Sequence, residues 1–472
     1  MNGSKLLHLF KSLDRHDIQR IGKFVHSPFF NHREDVRRLF DYLEKNRDAP
    51  LLFLRKEKAF EYVFPSEKAY NAQKILYTMS FLFQSIRHYL TIDEFEQDEL
   101  HGQMYLLRAF RLRGLNKFFE KALKEAQEQA SEQPLRHADF HYTQYLLLLE
   151  EYKFQHRHKR TSELKIQESS DELMYFYLAD MLRQACAEAA LRIVSEKNKY
   201  ETPLLEASLR IIEEKNLTTI PAIGAYYYAY HALKSEDTEG IVFQSLKETL
   251  VKHWQVFPKE ELRDLYLVAI NYCIRRLNRG MKEYEMESLT LYKFGLKKGI
   301  LFENNTLSAY TYQNILNASL KVGDFEWGKQ FLDDYKNHLS ESERVHVYNY
   351  SMAILYFRQM DYLKAMDLLQ KIQRVTFREV LFNLDARRML MRIYYDFGEW
   401  TALASLLDSS KIYIDRQKDM GYAREHYMNL IIILKKMLKT DLKDPKMRAI
   451  LRGEVEAEKS IAEKEWLLEK LK

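Results

Sequence analysis

Apolar residues recur at intervals of three and four along most of the chain, which is the spacing of one helix face. Val36, Leu39, Phe40 and Leu43 form such a face near the N-terminus. The period-two alternation of half-buried strands is not a recurring feature. No proline interrupts residues 259–444. Because proline breaks helix interiors, this gap favours long uninterrupted helices, and the whole pattern predicts an all-α protein.

Three short turns toward the C-terminal end repeat in phase. They are Gly323-Asp324-Phe325, Met360-Asp361-Tyr362 and Gly398-Glu399-Trp400. Their aromatic residues lie 37 and 38 residues apart, and each turn separates two apolar-periodic segments of helical length. A fixed period in this range is typical of helix-turn-helix arrays, in which each hairpin buries its open face against the next.

The pattern also predicts how the chain is organised. An N-terminal helical region, a middle helical region and a helical-repeat region are expected over residues 1–130, 131–217 and 218–472. In the first region, Pro65 begins a long helix for which Ser66 is the expected N-cap. At the other end, Pro445 closes the array, and one charged amphipathic helix over 447–472 is expected to cap it.

The second hairpin carries large and small residues at fixed distances from its turn. Tyr356 precedes the turn, Tyr362 lies at the turn, Ala365 follows three residues later, and Leu369 four residues after that. The matching residues of the other two hairpins are Phe325, Gly328 and Leu332, and Tyr394, Trp400 and Leu403. This pattern resembles the tetratricopeptide repeat, most closely over about residues 305–410. The resemblance implies a right-handed superhelical array of antiparallel hairpins, with small residues at close helix contacts and aromatics between hairpins.

The array departs from that family in several respects. Its period exceeds the family value of about 34 residues, and the closing proline of each repeat is absent. Met360 replaces the turn glycine once, and Leu403 stands where a small residue is expected. At the other end of the chain, the segment Lys23-Phe24-Val25-His26-Ser27-Pro28-Phe29-Phe30-Asn31 resembles the start of uncharacterised bacterial solenoid proteins.

Charge and cysteine content narrow the class of protein. The net charge is +5, from 73 basic and 68 acidic residues that are mixed along the chain. Such a balance does not indicate an obligate nucleic-acid-binding protein. Cys186 and Cys273 each lie inside a helical pattern and are expected to be buried thiols. Because the N-terminus lacks signal-peptide features and no stretch reaches about eighteen uncharged apolar residues, the sequence predicts a cytoplasmic protein without membrane spans.

One segment matches most of a phosphate-binding loop. Residues 323–329 read Gly-x4-Gly-Lys, but the next residue is Gln330, where the motif needs a hydroxyl for magnesium. Asp324 and Glu326 would also face the phosphates. Because a helical pattern and not a strand precedes the segment, we interpret it as a repeat turn.

Other candidate chemistry is sparse. The basic run His156–Arg160 could contact phosphate, and His156 and His158 could bind a metal, but no carboxylate or cysteine stands at ligand spacing. The run begins where the apolar period stops, so a solvated loop is the favoured interpretation. No His-Glu-x-x-His, Gly-x-Ser-x-Gly or clustered-cysteine motif occurs. We therefore expect no enzyme activity, cofactor or metal.

These features predict a protein-interaction scaffold that captures an extended or helical segment in a concave groove. The first helices of the phased hairpins should line that groove. The candidate partner-binding residues are Asn314, Asn317, Tyr350, Phe357 and Arg388. Asparagine amides can hold a peptide backbone, and aromatic rings provide rigid contact area. The expected partner is a protein or peptide and not a nucleic acid, and the sequence leaves the oligomeric state open.

A second function is compatible with the same architecture. The N-terminal helices could bind DNA while the repeat region senses a peptide, as in a transcriptional regulator. A continuous basic face within residues 1–60 would favour this alternative. An enzyme whose catalytic groups meet only in space is the third class, and a deep pocket with converging carboxylates or histidines would favour it.

Overall fold

The computed structural model describes residues 3–49, 54–158, 165–194, 203–234, 240–373, 380–417 and 420–472. The described residues form α-helices and connecting turns, without a β-strand, which confirms the predicted all-α class. Contacts divide the chain into two compact units, Met1–Tyr177 and Leu178–Lys472. The division falls inside the helix Ile166–Val194. The region boundaries expected after residues 130 and 217 remain predictions.

Among its described residues, the first unit contains eight helices and the beginning of a ninth. In chain order these are α1 Lys5–Ser12, α2 Arg15–His26, α3 Glu34–Lys45, α4 Lys56–Val63, α5 Ala72–Gln97, α6 Glu99–Leu112, α7 Asn116–Glu132, α8 Ala138–His158 and α9 Ile166–Val194. Two apolar clusters lie within this unit. Residues of α1 to α5 form one, and residues of α6 to α8 form the other.

The long helix α5 begins later than the sequence predicts. Asn71 is its N-cap, and the Asn71 side chain accepts a hydrogen bond from the Lys74 amide at 3.0 Å. Pro65 and Ser66 lie in a separate turn before it, where the Glu67 amide donates to the Phe64 carbonyl. The expected Ser66 cap is therefore wrong. Asn71 satisfies a free amide of the first helical turn in its place.

The second unit continues from α9 through fourteen further described helices. They are α10 Leu205–Glu214, α11 Pro221–Lys234, α12 Ile241–Lys252, α13 Lys259–Asn278, α14 Tyr284–Lys297, α15 Ala309–Val322, α16 Phe325–Tyr335, α17 Arg344–Arg358, α18 Tyr362–Gln373, α19 Val380–Phe397, α20 Trp400–Arg416, α21 Tyr422–Lys439, α22 Pro445–Ala457 and α23 Lys464–Lys470. From α11 onward each helix packs on the next one up to α23, and α15 also packs on α17. This pairing is compatible with an array of helical hairpins. No helix of the described ranges has both the length and the apolar character that a membrane span requires.

The three phased turns end their helices in the same way. Gly323, Met360 and Gly398 all have the left-handed backbone conformation, with φ between 62° and 83°. In each turn the amide of the following residue donates to the carbonyl five positions earlier, at 2.8–2.9 Å. This pattern is the Schellman motif, which satisfies carbonyls left unpaired at a helix end. The sequence phasing of the turns therefore coincides with a repeated backbone structure.

The residues in the small positions of the three hairpins are all buried. A side chain at Gly328 would place its Cβ atom 2.5 Å from Ser319 Oγ, so α15 and α16 approach too closely for any larger residue. Ala365 and Leu403 have no exposed surface. The turn aromatic Trp400 is different, because it is 51% exposed and packs on Tyr395. Trp400 therefore does not fill a wedge between hairpins.

The C-terminal tail forms two helices and not the single helix expected. α22 ends at Ala457, and α23 begins at Lys464. Between them, the Asn429 side chain donates to the Ser460 carbonyl, and the Ala462 amide donates to the His426 carbonyl. These two hydrogen bonds hold the connecting segment on α21 and interrupt the helix there.

We predict that Ala365→Trp lowers the melting temperature of the protein. Ala365 is fully buried where α18 packs on α17, and overpacking of such a contact typically costs about 1–3 kcal/mol. The matched control is Ala404→Trp, because Ala404 lies in α20 and is exposed. Thermal melts followed by circular dichroism compare the two variants. Equal melting temperatures would contradict the assigned packing of the second hairpin.

Candidate partner-binding site

Helix α15 carries three polar side chains on one face. Asn314, Asn317 and Lys321 are spaced by three and four residues, so they lie in a row along the helix. All three are exposed. Two local features set the limits of α15: the Ser308 hydroxyl accepts a hydrogen bond from the Thr311 amide at its start, and Gly323 ends it.

This row borders a cavity of about 410 Å³, here called the polar cavity. Five helices contribute its lining, namely α13, α14, α15, α17 and α19. The lining residues are Ile274, Leu277, Ser288, Tyr292, Asn314, Asn317, Ala318, Leu320, Lys321, Arg358, Asp385 and Arg388. The structure therefore brings together three of the five predicted partner-binding residues, Asn314, Asn317 and Arg388. The first helices of all three phased hairpins contribute to this lining.

A hydrogen-bonded ion pair forms the α19 side of the polar cavity. Arg388 Nε donates to Asp385 Oδ1 at 2.6 Å, and Tyr350 Oη donates to Asp385 Oδ2 at 2.8 Å. Burial opposes the charge of Asp385, but Arg388 and the Tyr350 hydroxyl lower the pKa of this carboxyl below its usual value. Burial likewise opposes the charge of Arg388, and the adjoining carboxylate raises the pKa of this guanidinium. Both groups are therefore charged at neutral pH.

The other two predicted residues are packed in the protein interior. Tyr350 is 2% exposed, and its ring packs on Phe382. Phe357 is 7% exposed, with the Arg392 guanidinium 5.2 Å from its ring centre. The predicted groove contact would need both rings at the surface, but Tyr350 is buried and Phe357 has only a small exposed fraction, which borders a second cavity described below. Their seven-residue spacing does place them on one face of α17, but that face is turned toward packed neighbours.

Two cations of the polar cavity have charges left to interact with a partner. Lys321 and Arg358 are exposed, and within the part of the chain that the structure describes their side chains form no hydrogen bond or close ion pair. The charge of Arg358 does act on Asp385, because it helps to lower the pKa of that carboxyl. The cavity has three cationic residues and one carboxylate, and Asp385 already neutralises Arg388. Its surface is therefore positive where Lys321 and Arg358 lie.

Sequence reasoning missed both Lys321 and Arg358 as site residues. A signal for Lys321 was available, because it follows Asn314 and Asn317 at helical spacing. Arg358 is the last residue of α17, directly before the turn at Met360. Lys321 and Arg358 each lie two residues before the left-handed turn residue of their hairpin, and the equivalent residue of the third hairpin is the acidic Asp396.

The segment that resembles a phosphate-binding loop is a turn between two helices. Gly323 ends α15, and the Asp324 side chain caps α16 by accepting from the Trp327 amide at 3.3 Å. Asp324 also accepts a hydrogen bond from Lys293 at 2.9 Å. Residues 325–329 are already helical, so the interpretation of this segment as a repeat turn is confirmed.

The basic run is only partly described. α8 extends to His158, so residues 156–158 are helical and the expected loop does not begin at His156. Phe154, just before the run, stacks on Phe119 with ring centres 4.2 Å apart. Lys159 and Arg160 lie outside the described residues. In the first unit, Asp14, His16 and Asp17 have ligand atoms within 4.8 Å of one another, but all lie at the surface around the N-cap of α2.

Comparisons of the chain with protein-family models, curated proteins and solved structures find no match.

We predict that Arg388→Met destabilises the protein by about 1–3 kcal/mol at neutral pH, because it leaves the Asp385 carboxylate without its cation. Asp385 has a lowered pKa in the folded protein, so its ion pair stabilises the fold above the ordinary carboxyl pKa. That contribution disappears as the pH falls through the folded pKa, so the deficit of the variant should shrink below about pH 4. Melting temperatures across this pH range measure the effect.

The double variant Arg388→Met, Asp385→Asn is the control for this ion pair. It removes the isolated charge, so part of the lost stability should return at neutral pH. If the double variant melts no higher than Arg388→Met, the role of Arg388 in neutralising Asp385 is wrong.

We also predict that the turn at residues 323–329 does not bind ATP. Its amides belong to a helix cap, and Asp324 presents a carboxylate where phosphate would lie. Calorimetric titration with ATP and magnesium should give no heat of binding. Micromolar binding that Lys329→Ala abolishes would contradict the assignment.

Proposed function

We propose that this protein is a non-enzymatic scaffold that captures an extended, carboxylate-bearing segment of a protein or peptide partner. The observation that carries the proposal is the composition of the polar cavity. Two exposed cations, Lys321 and Arg358, line this cavity together with the exposed amides of Asn314 and Asn317, and neither cation forms a side-chain hydrogen bond or close ion pair among the described residues. Each type of group supplies a different part of peptide recognition.

The cations account for the charge of the partner. Lysine and arginine donate charge-assisted hydrogen bonds to carboxylates, and these are stronger than neutral ones. Because Lys321 and Arg358 lie on different helices, α15 and α17, one acidic side chain between them would be contacted from two sides. The flanking Asp385 does not repel such a group strongly, since Arg388 and Tyr350 already satisfy its oxygens.

The asparagines account for binding of a main chain. Each amide side chain has a donor and an acceptor, so it can pair with the carbonyl and the amide of an extended peptide. Asn314 and Asn317 are about one helical turn apart on α15, which provides two such contacts in a row. A volume of about 410 Å³ lies within the range of sites that hold a short segment.

The wider architecture is part of the same proposal. If the hairpins form a right-handed superhelix of the tetratricopeptide type, the first helices α15, α17 and α19 would line its concave surface. The polar cavity would then be one section of a longer groove, which suits a partner that makes many weak contacts. A cytoplasmic location and the absence of enzyme activity are likewise proposals that fit this function.

The alternative of a DNA-binding N-terminal region has less support. Several basic side chains there have acidic neighbours, including Arg33 with Asp35 at 2.6 Å and Arg38 with Glu34 at 3.0 Å. The Lys11 ammonium donates to the Ala49 carbonyl at 2.9 Å. Side chains engaged in this way offer less charge to a phosphate backbone, so the observations favour peptide capture.

We predict that Lys321→Gln, Arg358→Gln weakens binding of a fluorescein-labelled hexaglutamate peptide by roughly tenfold, as loss of two charge contacts on a surface allows. Fluorescence anisotropy at physiological salt measures the affinity. Both residues are exposed, so the circular-dichroism spectrum should not change. A labelled Gly-Ser peptide of equal length tests whether binding requires carboxylates.

The matched control is Lys297→Gln, Lys329→Gln. These two lysines are exposed on α14 and α16 and do not line the polar cavity, so the variant removes the same net charge elsewhere. It should bind the peptide within about twofold of the parent, because general attraction is screened by salt. If both double variants lose equal affinity, the site is not the polar cavity.

A further inference from the structure

A second cavity adjoins the polar cavity and shares two of its arginines. It has a volume of about 450 Å³ and is here called the C-terminal cavity. α17, α19 and the tail contribute its lining residues, which are Phe357, Arg358, Arg388, Arg392, Glu463, Lys464, Glu465, Trp466 and Glu469. Because Arg358 and Arg388 line both cavities, the two form successive sections of one surface.

One residue of the tail, Glu463, places its carboxylate in this second section. Glu463 forms ion pairs with Arg388 and with Arg392, the latter at 2.8 Å, and its side chain is only 12% exposed. Its backbone has the left-handed conformation, with φ of 57°. A residue other than glycine keeps this conformation only where its surroundings impose it, and such residues cluster at functional sites.

The surroundings of Glu463 are fixed on both sides. The preceding residues Ile461 and Ala462 are buried, and the Ala462 amide is bound to α21 through His426. On the following side, the Trp466 indole donates to Asp396 at 3.2 Å, and Lys470 pairs with the same carboxylate at 2.8 Å. The tail therefore holds the Glu463 carboxylate at one position.

That position is where an acidic group of a partner would otherwise bind. With Glu463 present, Arg388 contacts two carboxylates, Asp385 and Glu463, so its charge is already neutralised and does not attract a carboxylate of the partner. Without the Glu463 charge, Arg392 would lose its only carboxylate among the described residues, and its buried Nε already has no acceptor there. Arg392 would then be available next to Arg358, while Arg388 would keep Asp385 as its partner.

We infer that Glu463 determines the specificity of the groove by occupying its second carboxylate position. The inference rests on the proposed function and adds the position at which the acidic residue of the partner lies in the groove. An acidic residue of the partner binds between Lys321 and Arg358, and the neighbouring section at Arg388 and Arg392 rejects a second acidic residue because Glu463 is already there. The partner segment therefore has its acidic group at one end of the contact, not at both.

The test measures binding of fluorescein-labelled hexaglutamate to the full chain by fluorescence anisotropy. Glu463→Gln keeps the size of the side chain and removes its charge. Glu463→Gly also removes the carboxylate, and glycine adopts the left-handed conformation readily, so the tail keeps its path. Both variants should bind the peptide about three- to tenfold more tightly than the parent, as one or two new charge-assisted contacts allow.

Glu465→Gln is the matched control, because Glu465 lines the same cavity, is exposed and has no partner among the described residues. It changes the net charge equally but frees no arginine, so its affinity should stay within about twofold of the parent. Adding Arg392→Gln to Glu463→Gln should abolish the gain. If the Glu463 variants bind no more tightly than the parent, or if Glu465→Gln gains as much, the inference is wrong.

The same measurements separate this inference from the proposed function. If Lys321→Gln, Arg358→Gln weakens binding but the Glu463 variants show no gain, the groove stands and only the role of Glu463 is rejected. If the Glu463 variants gain affinity while Lys321→Gln, Arg358→Gln has no effect, Glu463 does block a carboxylate position and the proposed site at Lys321 is rejected. If no variant binds the peptide, both are rejected.

Discussion

The ion pairs of Arg388 connect the parts of the second unit on which the site depends. One guanidinium contacts Asp385 on its own helix and Glu463 in the tail, and Asp385 in turn accepts the Tyr350 hydroxyl from α17. Two successive first helices and the C-terminal segment are thus joined by charged contacts. A charged group in this position must be neutralised, because an unpaired buried ion costs far more than the pair gains. Lys321 and Arg358, which form no close ion pair among the described residues, are exposed.

The hairpin turns position these residues along the array. A left-handed residue ends each first helix, and in the first two phased hairpins the residue two positions earlier is a cation beside the cavity, Lys321 or Arg358. Small buried residues such as Ala365 then bring the second helix of the hairpin close. Repetition of one turn geometry therefore places similar side chains at the ends of α15 and α17, and these contribute to a site that spans several helices.

The sequence was informative where the determinants are local. Residue spacing determines which side of a helix a side chain faces. It was therefore sufficient to predict the phasing of the turns, the small residue Ala365 and the shared face of Asn314 and Asn317. Burial of Tyr350 could not be read in this way, since it depends on Asp385, 35 residues later. The interruption of the helix before Glu463 could not be predicted for the same reason. Hydrogen bonds to α21 cause it, and no glycine or proline lies in the connecting segment. The start of α5 was mispredicted because Ser66 and Asn71 are both residue types that commonly cap helices.

The most direct test of this account is a crystal structure of the full chain with bound hexaglutamate. The account predicts carboxylate oxygens within hydrogen-bonding distance of Lys321 Nζ and the Arg358 guanidinium, with Asn314 or Asn317 paired to the peptide main chain. It also predicts that Glu463 remains on Arg388 and Arg392. A peptide bound elsewhere, with Lys321 and Arg358 still without an anionic partner, would contradict it.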